Sequence, residues 1–338
     1  MVKKWILYSL FLLPFISHGQ DSIQPLMKPI AIAIGEWSSD TSAAVTAELG
    51  PMHPKKNYSY KRRSWIVGSI SVTGYGASLI ALNKAWYSQY DRTSFHTFND
   101  SKEWLQVDKV GHAWSAYNLS RASSAAWQWA GLKKNKAVWI GSASGFTYLT
   151  AIEFLDAHSA RWGWSWADMG ANFLGSALFA SQELAWNEQK VHFKFSAHKK
   201  IYDASLNKRA NELYGSSLAE RLLKDYNSQT YWLSFNLKTL LNHSGLPPWL
   251  NLSVGYGAEG MYGGFENLAY DKNGNISFDR RDIKRYRQWY LAPDIDLTRI
   301  KTRSKFLRTT FSVFNSIKIP APALELSNGR LKARGIVF

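Results

Sequence analysis

Three apolar stretches of the chain each carry two polar residues spaced three or four positions apart. These pairs are Asp108 with His112, Glu153 with Asp156, and Asp168 with Asn172. Residues at that spacing share one face of an α-helix, so each stretch, if helical, directs its pair to one side. Buried carboxylates are costly unless they are paired or liganded. If the three faces converge, the pairs must therefore satisfy one another, a cation or a substrate.

The sequence around these pairs predicts a helical first half with about four helices. The predicted helices cover residues 64–83, 107–132, 135–156 and 165–186. In the last three, the longest uncharged stretch is the 16 residues from Ala137 to Ile152. A membrane span needs about 20 apolar residues. We therefore expect these three helices to pack as a compact apolar bundle.

The first predicted helix is different, because residues 64–83 contain no charged residue and are long enough to cross a bilayer. Five basic residues lie just before it, namely Lys55, Lys56, Lys61, Arg62 and Arg63. After an export signal this flank would lie outside, against the positive-inside rule. The expectation is a buried or half-inserted helix rather than an inner-membrane span.

The N-terminus has the pattern of a signal peptide. Lys3 and Lys4 precede the apolar run Trp5–Ile16, and Ser17 and Gly19 supply small residues at the cleavage positions. The prediction is a signal peptide over residues 1–19 and an extended, Pro-containing lead-in over 20–63. An uncleaved anchor is the alternative, and in either case we expect an exported chain.

Charge and composition narrow the expected partners. The chain has 41 Lys and Arg against 25 Asp and Glu, a net charge of +16 that favours polyanions. Residues 1–189 carry 17 basic and 13 acidic residues, whereas residues 190–338 carry 24 and 12, so the excess is mostly C-terminal. Export and the lack of a DNA-binding motif favour membrane lipid or an anionic envelope glycolipid over nucleic acid. Protein partners are not predicted.

Two further bulk properties exclude classes of protein and site. The sequence contains no cysteine, which excludes disulfides, thiolate metal sites, cysteine nucleophiles and the acylated cysteine of a bacterial lipoprotein. The mean hydropathy of -0.28 argues against a polytopic transporter.

The second half of the chain changes to a period of two. Apolar residues alternate with polar ones around residues 231–237, 250–256 and 289–297, which predicts half-buried strands. Ala323–Ser327 and Arg330–Phe338 flank an Asn328-Gly329 turn and predict a hairpin. About five strands are too few for a closed single-chain barrel. The predicted fold class is therefore α+β, with a helical bundle at 64–189 and a small antiparallel sheet at 190–338.

One basic amphipathic segment lies within the predicted sheet region. Lys305–Ile317 places an apolar helical stripe beside several basic residues, among them Arg303, Lys305 and Arg308. One interpretation is an interfacial helix whose basic residues bind anionic lipid. The other is an ordinary amphipathic helix packed on the sheet, and both stay open.

The polar pairs supply the candidate site residues. The candidate catalytic residues are His112, Glu153, Asp108 and Asp168. His112 and Glu153 are the acid and base candidates of this set. Candidate binding residues are Lys109, Asp156 and Asn172, with Arg303, Lys305 and Arg308 in the basic segment. A divalent metal would use His112, Glu153, Asp156 and Asp168, but the spacing is not a known metal motif, so no cofactor is predicted.

Two residues beside the pairs have simpler expected roles. Lys109 is expected to form an ion pair with Asp108 or Glu153. Ser165 is expected to cap the helix that carries Asp168.

Three sequence blocks resemble a known family. DKVGH at Asp108–His112, EFLD at Glu153–Asp156 and WGWSWADMGANFLGS at Trp162–Ser176 resemble the YfiM-like bacterial envelope proteins, a domain of unknown function. The more distant VanZ-like membrane proteins show a similar order of blocks. The resemblance covers about residues 105–190 and implies an envelope location, and for the VanZ-like proteins a link to glycopeptide resistance. Two departures are the missing lipoprotein cysteine and Asp156, where VanZ-like chains have a Gln.

Two classes of function follow from these observations. The first is a noncatalytic, membrane-associated envelope protein that binds lipid or has a structural role, preferably at the periplasmic face of the outer membrane rather than at the inner membrane. The second is an envelope enzyme that acts on a lipid-linked or cell-wall substrate through the His and carboxylate residues. The first class accounts for both halves of the chain and is therefore preferred.

Overall fold

Helices fill the first half of the described chain and antiparallel strands fill the second, which confirms the α+β class. The computed structural model describes residues 58–88, 90–242 and 245–337. The predicted signal peptide at 1–19, the predicted lead-in up to residue 57 and the terminal Phe338 lie outside these residues.

The helices and strands follow in chain order. They are α1 (Tyr58–Leu82), α2 (Val107–Ala130), α3 (Lys134–Asp156), α4 (Trp166–Trp186), β1 (Val191–Ala197), α5 (Ala204–Tyr214), α6 (Leu218–Lys224), β2 (Gln229–Asn236), α7 (Leu237–Leu240), β3 (Leu250–Glu259), β4 (Leu268–Tyr270), β5 (Ile276–Asp279), β6 (Tyr286–Ile295), α8 (Lys305–Phe314), β7 (Ala321–Ser327) and β8 (Arg330–Val337).

The predicted ends of α2, α3 and α4 lie within two residues of the observed ones. Helix α1 begins at Tyr58, six residues before its predicted start, because a lack of charge marks an apolar stretch rather than a helix end. β2 ends one residue early, since the side chain of Asn236 accepts a hydrogen bond from the Thr239 amide and caps α7. The sequence patterns do not predict strands β1, β4 and β5 or helices α5, α6 and α7.

Small residues bring α2, α3 and α4 into close contact. Ser120 of α2 and Ser176 of α4 are buried, and their hydroxyl oxygens lie 3.2 Å apart. A Cβ added at Gly175 would lie 2.0 Å from the carbonyl oxygen of Ala113, so this glycine lets the α2 and α4 backbones touch. Close contact through Gly and Ser is typical of helices that pack in membranes.

Helix α1 is largely exposed. It contacts α3 through Tyr75, whose ring centroid lies 4.7 Å from that of Tyr148, and through Ser78, whose hydroxyl lies 2.7 Å from the Tyr148 hydroxyl. Within the described residues, α1 is the one helix long and apolar enough to cross a membrane, and 11 % of its most apolar window is buried. A buried α1 is therefore wrong, and a half-inserted α1 stays a prediction.

The main sheet has six antiparallel strands in the order β1-β2-β3-β6-β7-β8, and β4 and β5 form a separate hairpin. The outer edge of β1 meets the chain that leads into β7: the Phe195 amide donates to the Ser316 carbonyl at 2.9 Å, and the Lys318 amide donates to the Phe195 carbonyl at 2.8 Å. The sheet is thus curled. The Asn328-Gly329 turn between β7 and β8 has positive φ at both residues (49° and 70°), as the sequence predicts.

One face of the curled sheet is apolar and exposed. Its side chains form two cross-strand rows, Phe193-Leu233-Val254-Leu291-Leu324 and Phe195-Tyr231-Tyr256-Trp289-Leu326. Helix α2 covers the β1 end of these rows, where Phe193 and Tyr231 join the core around Tyr117. Further along, Val254, Leu291 and Leu326 are 41 %, 41 % and 47 % exposed.

The opposite face is buried and carries both a network of charged residues and an apolar cluster of Trp232, Tyr290, Ala292 and Ala323. Asp294 lies at its centre, 2.8 Å from the Lys194 ammonium and 3.6 Å from that of Lys318. The Ser234 hydroxyl donates to the same carboxylate at 2.6 Å, and all four residues are almost fully buried. The alternation predicts half-buried strands, and in the structure the buried half contains the ion pairs of Asp294, whereas the apolar rows beyond α2 are exposed.

We expect Gly175→Ala to lower the free energy of unfolding by about 1–3 kcal/mol, because the added methyl forces α4 away from α2. Gly170→Ala is the matched control on the same helix, since its Cβ would meet no atom within 4 Å. It should leave stability unchanged or raise it by up to about 1 kcal/mol. Thermal unfolding in mild detergent, followed by tryptophan fluorescence, measures both, and equal stability of the two variants would contradict this packing.

Candidate functional site

The polar pairs of α2, α3 and α4 meet at one end of the helical half. The connections between these helices are short, so neighbouring helices run antiparallel. The start of α2, the end of α3 and the start of α4 therefore lie together. We call the residues that meet there the polar cluster: Asp100, Asp108, Lys109, His112, Glu153, Ser165, Asp168 and Asn172.

Lys109 joins three carboxylates of the polar cluster. Its ammonium nitrogen lies 2.5 Å from Asp100, 2.9 Å from Asp108 and 2.9 Å from Asp168, and all four side chains are nearly buried. Burial opposes the charge of Lys109, but the carboxylates outweigh burial and hold the pKa of Lys109 above its ordinary value. The expected pair with Asp108 is present. Sequence reasoning missed Asp100, which lies in an irregular segment with no helical spacing to mark it.

Ser165 connects α4 to the rest of the polar cluster. Its hydroxyl accepts a hydrogen bond from the Asp168 amide at 2.9 Å, the helix cap that the sequence predicts. The same hydroxyl donates to Asp100 at 2.5 Å, and the Ser165 amide donates to Glu153 at 3.3 Å. The cap thus also orients two carboxylates, a role that its sequence position did not reveal.

His112 lies between two carboxylates. Its Nδ1 is 3.1 Å from Asn172 Oδ1 and 3.6 Å from Glu153 Oε1, and its Nε2 is 3.9 Å from Asp168 Oδ1. The side chain is 24 % exposed, so solvent reaches this part of the cluster. Burial lowers the pKa of His112, but Asp168 and Glu153 outweigh burial, and the net shift is upward.

Several buried polar atoms of the cluster have no hydrogen-bond partner among the described residues. They are Asp108 Oδ1, Glu153 Oε1, Asp168 Oδ1 and Asn172 Nδ2. Burial raises the pKa of Glu153 to about 8, an effect that His112 partly opposes. Burial also raises the pKa of Asp108 to about 6 against the effect of Lys109. The cluster therefore holds more carboxylate than its two basic side chains neutralise.

A strained turn positions Asp100 beside α2. Trp104, Leu105 and Gln106 all have positive φ, at 49°, 50° and 66°. Left-handed backbone costs a non-glycine residue on the order of 1 kcal/mol or more. Contacts from the second half of the chain hold this turn: the Trp104 amide donates to the Gly264 carbonyl at 2.8 Å, and the Tyr256 hydroxyl donates to the Leu105 carbonyl.

Other predicted site residues lie outside the polar cluster. Asp156 is on α3, where it pairs with the Tyr87 hydroxyl, and burial raises its pKa to about 7. Arg303, Lys305 and Arg308 lie on α8 or just before it and are exposed. Among the described residues, no hydrogen bond or ion pair joins these three to the cluster. The roles assigned to all of the site residues stay predictions.

The arrangement has two chemical capacities. His112 Nδ1 and Glu153 Oε1 lie 3.6 Å apart, so a proton can pass between them through one bridging water or after a small side-chain movement, and the pKa values of both groups are raised. His112, Glu153 and Asp168 also offer ligand atoms that all lie within 4.8 Å of one another, a group that could hold a metal ion.

Residues 96–182 match a family model described as "Predicted periplasmic lipoprotein (DUF2279)". The matched segment contains the whole polar cluster and none of the sheet. The match supports an uncharacterised bacterial envelope family and an exported, envelope location. This sequence has no cysteine that could carry the lipid of a bacterial lipoprotein. No curated protein and no solved structure matches the chain.

Replacing Lys109 should be strongly destabilising, because it leaves three buried carboxylates without their cation. We expect Lys109→Met to lower the free energy of unfolding by about 3–5 kcal/mol. Lys134→Met is the matched control: Lys134 pairs with Glu183 at 2.7 Å but is 33 % exposed, and its loss should cost about 0–1 kcal/mol. Urea unfolding measures both, and similar losses would contradict a central role for Lys109.

Glu153 should make stability fall as the pH rises. Folding raises its pKa from 4.5 to about 8, so the folded chain keeps a proton that the unfolded chain releases within this window. The free energy of unfolding should therefore fall between about pH 4.5 and 8, by up to about 1.4 kcal/mol per pH unit for one proton. His112, whose pKa is also raised, acts in the same direction.

Glu153→Gln should make this pH dependence shallower, because glutamine does not titrate. Urea unfolding at four pH values across the window measures the slope. Glu212→Gln, at a 51 % exposed position of α5, should keep the slope of the unmutated chain. A slope that Glu153→Gln leaves unchanged would mean that another group takes up the proton.

Proposed function

We propose that this chain is a membrane-seated protein of the cell envelope. Its apolar outer surfaces contact lipid acyl chains, and its basic α8 region contacts anionic head groups. The observation that carries the proposal is the sheet, which exposes its apolar rows and buries the opposite face, where Asp294 and its ion pairs lie. The proposal takes the periplasmic face of the outer membrane as the site, in line with a YfiM-like envelope protein.

The sheet is unfavourable in water and favourable in lipid. Exposed aliphatic side chains at Leu233, Val254, Leu291 and Leu324 lie side by side across four strands. Contiguous apolar patches of this kind mark binding surfaces rather than ordinary protein surface. Strands that alternate apolar-out and polar-in are the pattern of sheets that face lipid.

The helical half also exposes large apolar side chains. Each of its four helices exposes large apolar side chains, including the five tryptophans Trp65, Trp129, Trp139, Trp166 and Trp186. Tryptophan is enriched where proteins meet the membrane–water interface. Small buried residues between α2, α3 and α4 fit this picture, since they leave the large apolar residues on the outside.

Charge favours lipid over a protein as the occupant of these surfaces. None of the residues of α8 is buried, and Phe306 and Phe314 are 76 % and 47 % exposed. Arg303, Lys305 and Arg308 are exposed beside them and, among the described residues, form no ion pair. Basic residues next to exposed aromatic ones match a bilayer surface, with phosphate above the acyl chains.

The second hypothesis is an envelope enzyme with His112 and Glu153 as its acid and base. It accounts for the buried polar cluster. It does not account for the exposed apolar rows or for the unpaired basic residues of the α8 region. The membrane-seated role accounts for both of these, and we therefore favour it.

Co-flotation with vesicles tests the proposal. Leu291→Asn with Leu324→Asn should reduce binding to all vesicles, because both side chains are exposed on the apolar face. Arg303→Gln, Lys305→Gln and Arg308→Gln together should weaken binding to phosphatidylglycerol vesicles by about 100-fold, at about 1 kcal/mol per basic residue. The same triple variant should leave binding to neutral vesicles unchanged and should remove most of the salt dependence.

Two sets of control variants match these changes. Ile201→Asn with Leu218→Asn alters exposed aliphatic residues outside the sheet and outside α1 to α4. Lys199→Gln, Lys208→Gln and Lys272→Gln remove three exposed charges elsewhere. If both control sets reduce flotation as much as the test sets, the binding to vesicles is nonspecific. Absence of flotation by the unmutated chain would overturn the proposal.

A further inference from the structure

We propose that His112, Glu153 and Asp168 bind a divalent transition-metal cation, with Zn²⁺ as the reference ion. This inference concerns the polar cluster and does not depend on the membrane-seated role. It rests on the geometry of the three ligand atoms, on carboxylate oxygens that lack a partner, and on the position of Lys109.

The three side chains are spaced as ligands of one ion. Each residue offers one ligand atom, and these atoms lie within 4.8 Å of one another. His112 Nε2 lies 3.9 Å from Asp168 Oδ1, and Glu153 Oε1 lies 3.6 Å from the other ring nitrogen, Nδ1. Atoms that bind zinc at about 2.0–2.2 Å lie about 3–4 Å from each other. Small side-chain adjustments therefore suffice to bring all three into contact with an ion.

Two carboxylate oxygens of the proposed site have no hydrogen-bond partner among the described residues. They are Glu153 Oε1 and Asp168 Oδ1, and their side chains are 1 % and 8 % exposed. Both oxygens are the ones nearest to His112. Leaving such atoms buried and unpaired is costly. A cation between them and the imidazole removes this cost.

The remaining atoms of the three side chains are already held in place. Glu153 Oε2 accepts from the Ser165 amide, and Asp168 Oδ2 accepts from Lys109. His112 Nδ1 lies 3.1 Å from Asn172 Oδ1, and a hydrogen bond there leaves Nε2 to bind the ion. Outer partners that orient each ligand in this way are a regular feature of metal sites.

A second group of carboxylates shows why only one such site is proposed. Asp100, Asp108 and Asp168 also offer closely spaced oxygens. The Lys109 ammonium lies among them at 2.5–2.9 Å and takes the position of a cation. Lys109 binds only the outer oxygen of Asp168, and among the described residues no ammonium or guanidinium lies between Glu153 Oε1 and Asp168 Oδ1, which face His112.

Charge and ligand type indicate the class of ion. Four carboxylates of the polar cluster face one lysine and one histidine, so a divalent cation would balance the excess. One imidazole with two carboxylates suits Zn²⁺ or Mn²⁺, whereas Ca²⁺ and Mg²⁺ prefer sites made of oxygen alone. The 24 % exposure of His112 leaves a path for the ion and for a water ligand.

Equilibrium dialysis of the detergent-purified full chain against Zn²⁺, followed by metal analysis, tests the site. We expect about one bound Zn²⁺ per chain, as for a single site of this kind. His112→Ala and Glu153→Gln should each weaken binding by at least about tenfold. The controls His198→Ala and Glu212→Gln change exposed residues of the same type and should bind as the unmutated chain does.

Two outcomes overturn the proposal without relying on any variant. The first is the absence of saturable Zn²⁺ and Mn²⁺ binding by the unmutated chain. The second is an unchanged rate of His112 modification by diethyl pyrocarbonate when Zn²⁺ is added, measured by peptide mass spectrometry. We expect Zn²⁺ to slow modification of His112 at least about tenfold and to leave His198 unaffected. Binding that persists equally in folded His112→Ala and Glu153→Gln would also place the ion elsewhere.

Discussion

The ammonium group of Lys109 is the contact on which the helical half depends. It joins a carboxylate from the segment before α2, one from α2 itself and one from α4. Each of these acids is nearly buried, so none could be ionised there without a cation within hydrogen-bonding distance. The strained turn at 104–106 positions Asp100 for this contact. Hydrogen bonds with Gly264 and Tyr256 hold the turn in place. The positions of these three carboxylates therefore follow from satisfying one buried lysine.

Both halves of the described chain place large apolar side chains on their outer surfaces. In the helical half, serines and glycines lie between the helices, and large apolar residues lie outside. In the sheet, the ion pairs around Asp294 and the apolar cluster around Trp232 lie inside, and the apolar rows lie outside. Helix α2 joins the two, since Tyr117 packs on the sheet through Phe193 and on α4 through Phe179. Both halves therefore keep large apolar side chains on their outer surfaces, and the proposed membrane-seated role rests on this feature.

Much of the fold was predictable because its signals are local. The helical spacing of polar pairs predicts α2 to α4. Ser165 predicts the cap of α4, and Asn328-Gly329 predicts the hairpin turn. The orientation of the sheet was not predictable, because alternation places Leu291 and Asp294 on opposite faces without showing which face is buried. Asp100 was missed for a related reason: its role depends on a contact across 68 residues to Asp168 through Lys109, and nothing in its own neighbourhood marks it. Local patterns therefore predict the helices, the strands and the turn. Contacts between distant residues determine which face of the sheet is buried and where Asp100 lies.

Asp168 is the residue at which the structural and the chemical roles of the polar cluster meet. One of its oxygens binds Lys109, and the other faces His112. Burial raises its pKa, but His112 and Lys109 together lower the pKa below its ordinary value, so Asp168 stays ionised. Its position in the first turn of α4 favours the same charge state, because the helix dipole stabilises an anion there. Glu153 has no such support at the end of α3, and burial raises its pKa instead. The pKa values of the two carboxylates beside His112 are thus shifted in opposite directions, because the charge of Asp168 is supported by Lys109 and the helix dipole and that of Glu153 is opposed by burial.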